Sequence, residues 1–406
     1  MSTEKDFQHI LALLEMAGID PDELADYANR GDAGTGNTIK WYVDEVLAGL
    51  TRNTARSYRT HYLHLINGIE RQCDCDCLTC IEEFRKYLTC KCQCRTCKNA
   101  VDFPAMGDVI ASRGTISQIN LELLVQTVRK MASKKAKADN VTRARQGLAP
   151  KPTHGQGAQE MCVTALSALF ARLVRDGVLS KNLADDLPRG HRSATKRRSL
   201  TDQELVSLFN TVVSGGDDPE LDLALTWAEF ELGARRNGIV SLTIGQLDFE
   251  TQMVTLHEKG NREDQQPCTL ELMTFLGELA VKRAGDICRP GSSSYNPNAR
   301  VLYYKDSTPK SLHPITSRRF DTLHKRIQQS LPWANSISYS GHALRHTIGT
   351  MVERMAGYEV AKRMLRHAGT SQTDTYVKAG PVEVAQAIST ITGRSHPLTQ
   401  DSAKDL

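Results

Sequence analysis

Apolar residues recur at helical spacing over most of this chain and at strand spacing in one short stretch. Residues 7–15, FQHILALLE, carry the three-to-four-residue repeat of an amphipathic helix, and DPDELADYA supplies a capped second one. The glycine-rich break GDAGTGN, residues 31–37, closes this segment. TIKWYVDEVLAGL and NTARSYRTHYLHLINGIE predict two further helices, the second starting near Thr54. Helical patterns return over 117–138 and 158–177, separated by the loop QGLAPKPTHGQG, and nothing between 38 and 190 predicts a strand.

A new domain opens at SLTDQEL, where Thr201 and Glu204 have the spacing of a capping box. Helices are predicted over 202–213 and 219–232. The following segment alternates apolar and polar residues around QMVTLH, turns at Lys259–Gly260–Asn261 and predicts a second strand near 266–270. From there to about residue 393 the pattern is helical again, and SHPLTQDSAKDL reads as a mobile tail. The predicted fold is mainly α. An acidic helical segment (1–37) precedes a helical domain (38–190), a basic linker (191–199), a mostly helical domain with a small antiparallel β-sheet (200–393) and a flexible tail (394–406).

Composition narrows the class. The 406 residues suffice for two or three domains, and 40% apolar with 24% charged residues is the profile of a globular protein. No apolar run approaches the ~20 residues that cross a bilayer. The start, MSTEKDFQHI, lacks the basic-then-apolar pattern of a signal peptide, so a cytoplasmic protein with no membrane partner is expected. The net charge of +4 is unevenly spread: residues 1–48 hold ten acids and three bases, residues 129–199 sixteen bases and five acids. The run Arg189, Arg192, Lys196, Arg197 and Arg198 is dense enough to follow a phosphate backbone, although a solvated basic surface has the same composition.

Eight of the eleven cysteines fall in two copies of C-x-C-x-C-x2-C, CDCDCLTC at 73–80 and CKCQCRTC at 90–97. In a reducing compartment such clusters are metal ligands sooner than disulfides. The thiolates of Cys73, Cys75, Cys77, Cys80, Cys90, Cys92, Cys94 and Cys97 are expected to fill two tetrahedral zinc sites, one per segment or shared, with iron–sulfur ligation as the less favoured option. Four thiolates per ion leave no open position, so the predicted role is structural. His61 and His64, just upstream, are substitute ligands, and Lys91 and Arg95 within the insertion are candidate DNA contacts.

The chemistry lies in the second half. In SGHALRHTIGTMVERMAG, His342 and Arg345 stand three apart at the start of a helix, on one face and near an N-terminus that favours anions. ELGARRNGIVSL adds Arg235 after Gly233, LHEKGNRE adds Lys259 at a hairpin tip, and MLRHAGTSQTDTYVKAG adds His367 and, nine residues on, Tyr376. In this order and spacing the six residues resemble the active-site set of the tyrosine recombinases, or phage integrases. The resemblance covers roughly 200–390, and more weakly 38–190, where NTARSYRTHYLHL is similar to the start of the family's helical core-binding domain.

The resemblance implies roles. Tyr376 attacks a DNA phosphate to give a 3′-phosphotyrosyl bond and a 5′-hydroxyl, a route that needs no cofactor. Arg235 and Arg345 each present a two-pronged donor to non-bridging oxygens, a geometry lysine lacks. Lys259 protonates the leaving oxygen, His342 assists proton removal from Tyr376, and His367 bonds the phosphate. It also implies a double-stranded DNA target clamped between two domains, a homotetramer on DNA, and room for accessory proteins. Two departures stand out. Gly238 replaces the acid usual three positions after the first arginine, leaving open what orients Arg235, and Arg366 replaces the usual glycine before the second histidine. The rival readings are a type IB topoisomerase, with the same tyrosine chemistry but no partner site, and an inactive zinc-containing DNA-binding protein.

Overall fold

The computed structural model describes residues 36–72, 101–190, 198–258, 262–366 and 379–400. They form two compact units, one comprising residues up to 145 with 150–194, the other 146–149 with residues from 195 onward.

The first unit opens with α1 (Ile39–Ala48), whose N-terminus is capped by Thr38 Oγ1 accepting from the Trp41 N–H at 3.2 Å. Helix α2 (Arg52–Asn67) starts two residues before the expected Thr54, because the caps are set by backbone geometry at Thr51. Strands β1 (Ile69–Gln72) and β2 (Val101–Phe103) pair antiparallel, with Ile69 opposite Phe103. This ladder corrects the expectation of a strand-free domain. Each strand is too short to show an alternating pattern, and the cysteine segment separates the partners in sequence. Helices α3 (Arg113–Gln118), α4 (Leu121–Arg145) and α5 (Gln156–Arg175) complete the unit. Helix α4 runs seven residues past the predicted end through DNVTRAR, which has no apolar repeat to announce it.

The core of this unit is built from Tyr42, Tyr62, Leu65, Leu124, Leu166 and Phe170, all fully buried. The Tyr62 hydroxyl donates to the Ala165 carbonyl at 2.7 Å, so the ring is buried without stranding its polar end. His61 is 8% exposed, and its Nδ1 has no partner among the described residues.

The second unit begins with α6 (Asp202–Val213), and the capping box is present: Thr201 Oγ1 accepts from the Glu204 N–H at 3.3 Å and Glu204 Oε2 from the Thr201 N–H at 2.9 Å. Helix α7 (Pro219–Glu231) is buried on every side and still carries Asp222, Glu229 and Glu231. Buried acids need partners. Asp222 receives Arg319 and Arg326, and Glu231 takes the Thr269 N–H at 2.6 Å and the Trp227 indole N–H at 2.8 Å.

Beyond α8 (Arg236–Ser241) lies a three-stranded antiparallel sheet in the order β3 (Leu247–Asp248), β4 (Met253–Glu258), β5 (Arg262–Pro267). The last strand occupies 262–267 rather than 266–270, because Thr269 is already the cap of α9 (Leu270–Ala284). Residues 289–316, expected to be helical, are irregular and held by isolated bridges such as Thr243–Arg300 and Tyr303–Pro314. The proline, glycine and serine of RPGSSSYNPN exclude a regular helix there.

The remaining helices are α10 (Ser317–Ser330), α11 (Pro332–Ser336), α12 (His342–Ala356), α13 (Tyr358–Met364), α14 (Pro381–Thr392) and α15 (Pro397–Gln400). Val384, Ala387 and Ile388 of α14 pack on Ile348, Val352 and Met364 of the same unit. Residues 394–400, read from sequence as tail, are docked. Arg394 pairs with Glu271 at 3.0 Å and lies over the Trp227 ring, and buried His396 bonds the Gln252 carbonyl at 3.0 Å. Among the described residues no helix is long and apolar enough to cross a membrane.

Candidate active site

Three of the sequence-predicted residues meet at one pocket of about 270 Å³ in the second unit, where Arg235, His342 and Arg345 are joined by Glu229, His324 and Gly341. Each arrives by a local device. After α7 the chain turns at Gly233, whose φ of +52° suits glycine, and exposed Arg235 becomes the extended N-cap residue of α8. Its neighbour Arg236 lines the same pocket and is paired there, with Nη1 on Asp321 at 2.7 Å. His342 is the exposed first residue of α12, beside the helix N-terminus, and its ring meets that of His346 edge-on at 4.7 Å.

Arg345 is 3% exposed and is seated by backbone: Nη1 donates to the Gly233 carbonyl and Nη2 to the Leu365 carbonyl. A guanidinium cannot shed its charge, so burial at this position requires such acceptors. The same bonds tie α12 to the turn before Arg235 and to the end of α13. The pocket thus sets two guanidinium cations beside a helix N-terminus, groups whose chemistry suits a tetrahedral anion.

Glu229 and His324 were not legible as site residues. Glu229 is 3% exposed, and its Oε2 lies 3.6 Å from His324 Nε2. His324 Nε2 accepts the Gly341 N–H at 3.1 Å and so fixes the turn that presents His342. Behind them Tyr339 is wholly buried, and desolvation, aided by the Glu229 charge, holds its hydroxyl well above the ordinary tyrosine range. The available signal was a set of acids in a helix with no polar face.

Lys259, His367 and Tyr376 lie outside the described residues, as do Lys196, Arg197, Lys91, Arg95 and the eight cysteines of the repeat. Among the described residues no group of three or more His, Cys, Asp and Glu is arranged to hold a metal. The other cysteines, Cys162, Cys268 and Cys288, are buried and free, and burial pushes the Cys162 thiol up to about 12. Arg198 forks onto Glu204, with Nη1 at 2.7 Å from Oε2, and this bond holds the Glu204 carboxyl down at about 2. A second concavity, of about 700 Å³, opens within the first unit and is lined by Arg129, Lys130, Lys134, Lys137 and His154.

The model of the phage integrase family matches residues 198–381. The chain is 24% identical over 218 residues to the tyrosine recombinase XerC of Lacticaseibacillus casei strain BL23, covering 53% of this chain and 69% of that protein. It is 24% identical over 257 residues to XerD of Mycobacterium leprae, covering 61% and 77%. Among solved structures it is similar to a lambda integrase tetramer bound to a Holliday junction (13% identity, 92% of this chain and 89% of that one, TM-score 0.45). It is also similar to the Tn1549 transposon integrase in complex with transposon right end DNA (14% identity, 88% and 100%, TM-score 0.46). Both overlaps are loose, and the family match with its recombinase relatives carries the assignment. The matched span contains the pocket and every residue of the recombinase motif, so residues 198–381, rather than the whole chain, carry the likeness to the phage integrase family of tyrosine recombinases.

Proposed function

We propose that this protein is a site-specific DNA recombinase that cuts and rejoins strands through a 3′-phosphotyrosine at Tyr376. The observation that carries the reading is the convergence of Arg235, His342 and Arg345 on one pocket. In the cutting step the Tyr376 oxygen bonds to phosphorus and the bond to the 5′ oxygen breaks. The phenol proton passes toward His342, and the departing oxygen takes a proton from Lys259. The two arginines neutralise the charge that builds on the non-bridging oxygens, and His367 adds a hydrogen bond there. Rejoining reverses the step, with the 5′-hydroxyl of a partner strand displacing the tyrosine.

DNA contact is assigned to Lys196, Arg197, Arg198, Lys91 and Arg95, and separately to the basic concavity of the first unit. Four protomers on two duplex sites would exchange strands in pairs, as a DNA-associated cytoplasmic assembly open to accessory proteins. The cysteine repeat is assigned two structural zinc ions, so metal analysis of reduced protein should give about two Zn²⁺ per chain. Fewer than one would remove that assignment.

The test of the central reading is a nicked substrate that traps the cut strand, made from the DNA junction flanking the gene. Wild-type protein should form a covalent adduct that disappears in Tyr376→Phe. Binding of that junction with no adduct would sink the reading. DNA with two target sites should yield exchanged products, whereas relaxation alone would turn the proposal toward a topoisomerase.

A further inference from the structure

Arg366 stands immediately before His367 and is one of three non-glycine residues with positive φ among the described residues, at +50°. That conformation costs an arginine energy and a glycine almost none. The side chain is 5% exposed. A strained backbone and a permanently charged buried group persist only where the surroundings supply enough partners.

The partners come from three separate segments. Nη1 donates to the Leu232 carbonyl at 3.1 Å and Nη2 to the Gly233 carbonyl at 2.9 Å, both in the turn that delivers Arg235. Nη1 also donates to Gln266 Oε1 at 2.9 Å, on β5, the strand paired with β4 and next after Lys259 in sequence. It further donates to the Met364 carbonyl at 2.8 Å, at the end of the helix leading to His367. The Gly233 carbonyl is shared, since Arg345 donates to it as well.

We infer that Arg366 is a positioning residue for DNA cleavage, a buried guanidinium that locks the Arg235 turn, the β4–β5 hairpin and the approach to His367 into one geometry. The inference rests on the recombinase reading above. A planar fork reaches acceptors in several directions at once, which a lysine ammonium on the same stem does not reproduce. The position separates two roles cleanly. If the arginine merely fills a glycine site, Arg366→Gly relieves the backbone and leaves cleavage intact or faster. If it positions the site, the same change releases three segments and slows the chemistry.

The experiment is single-turnover adduct formation on the nicked junction at saturating DNA. It runs alongside DNA affinity, at a temperature where thermal unfolding shows each variant folded. Arg366→Gly and Arg366→Lys should each slow adduct formation about 100-fold with DNA affinity unchanged, the scale of a misplaced catalytic group. Gln266→Leu, which removes one acceptor and keeps the charge, should slow it about tenfold, as expected for one charge-assisted bond. A wild-type rate in Arg366→Gly overturns the assignment. If Arg366→Gly does not fold, Gln266→Leu decides, and a wild-type rate there overturns it equally. A loss in which rate and affinity fall together also overturns it. Wild-type protein that binds the junction and forms no adduct defeats the recombinase reading itself, a result distinct from all of these.

Discussion

The buried carboxylate of Glu229 occupies the space into which any side chain at position 341 would project. The turn before His342 is therefore glycine for reasons of room, and its N–H is held by His324. Gly341→Ala should destabilise the second unit by about 2 kcal/mol, the usual cost of forcing a methyl into packed space. Adding Glu229→Ala should recover part of that loss, since the two sites compete for one volume. Urea unfolding of the single and double variants checks both statements, and additive losses would show that the contact is not the cause.

Arg345 is seated by the carbonyls of Gly233 and Leu365. Lysine keeps the charge and loses the fork, so Arg345→Lys should lower adduct formation about 100- to 1,000-fold, the cost of removing one donor to developing charge. DNA affinity should change far less, because the charge remains. Comparable losses in binding and cleavage would argue that Arg345 serves the duplex rather than the reacting phosphate.

The basic concavity of the first unit offers a measurement independent of catalysis. Replacing Lys130 or Lys137 with alanine should weaken DNA binding to the same degree on cognate and unrelated sequences. Each change should reduce the salt slope of binding by about one ion, as expected for a phosphate contact. An unchanged slope would place the DNA on another face.

Burial lowers the pKa of His61 to about 4, with the charge of His64 adding to the effect. The fold thus prefers neutral imidazole. Above pH 6.5 neither state is protonated and the full stability is present. As pH falls from 6.5 toward 4 the unfolded chain takes a proton that the folded one refuses, and stability is lost, by at most about 3 kcal/mol. His64 and His396 are lowered in the same direction by burial. His61→Leu should therefore reduce, without abolishing, the fall of the thermal midpoint between pH 7 and 5. Glu204, held at about 2 by Arg198, loses its contribution only below 4.5, outside that range. An identical pH profile in His61→Leu would contradict the assignment.

Much of this was legible where cause and effect lie close in sequence. Thr201 and Glu204 cap their helix as spaced, β4 alternates as written, and α12 begins at His342. Reading failed where the partner was remote or carried no signature. β1 and β2 are separated by the cysteine segment, and Glu229 meets a histidine, His324, that lies far from it in sequence. Arg366 was visible as a departure from glycine, yet most of its acceptors are main-chain carbonyls, which every residue possesses. The docking of residues 394–400 rests on a cation over an aromatic ring and on one buried histidine, neither of which forms a periodic pattern.

The shared carbonyl of Gly233 also constrains how this sequence can change. With Arg345 and Arg366 donating to one oxygen, the effect of altering either depends on whether the other is present, so their contributions do not add. Of the acceptors around Arg366 only Gln266 offers a side chain, so position 266 is the one whose substitution removes a partner, while the main-chain carbonyls of Leu232, Gly233 and Met364 persist.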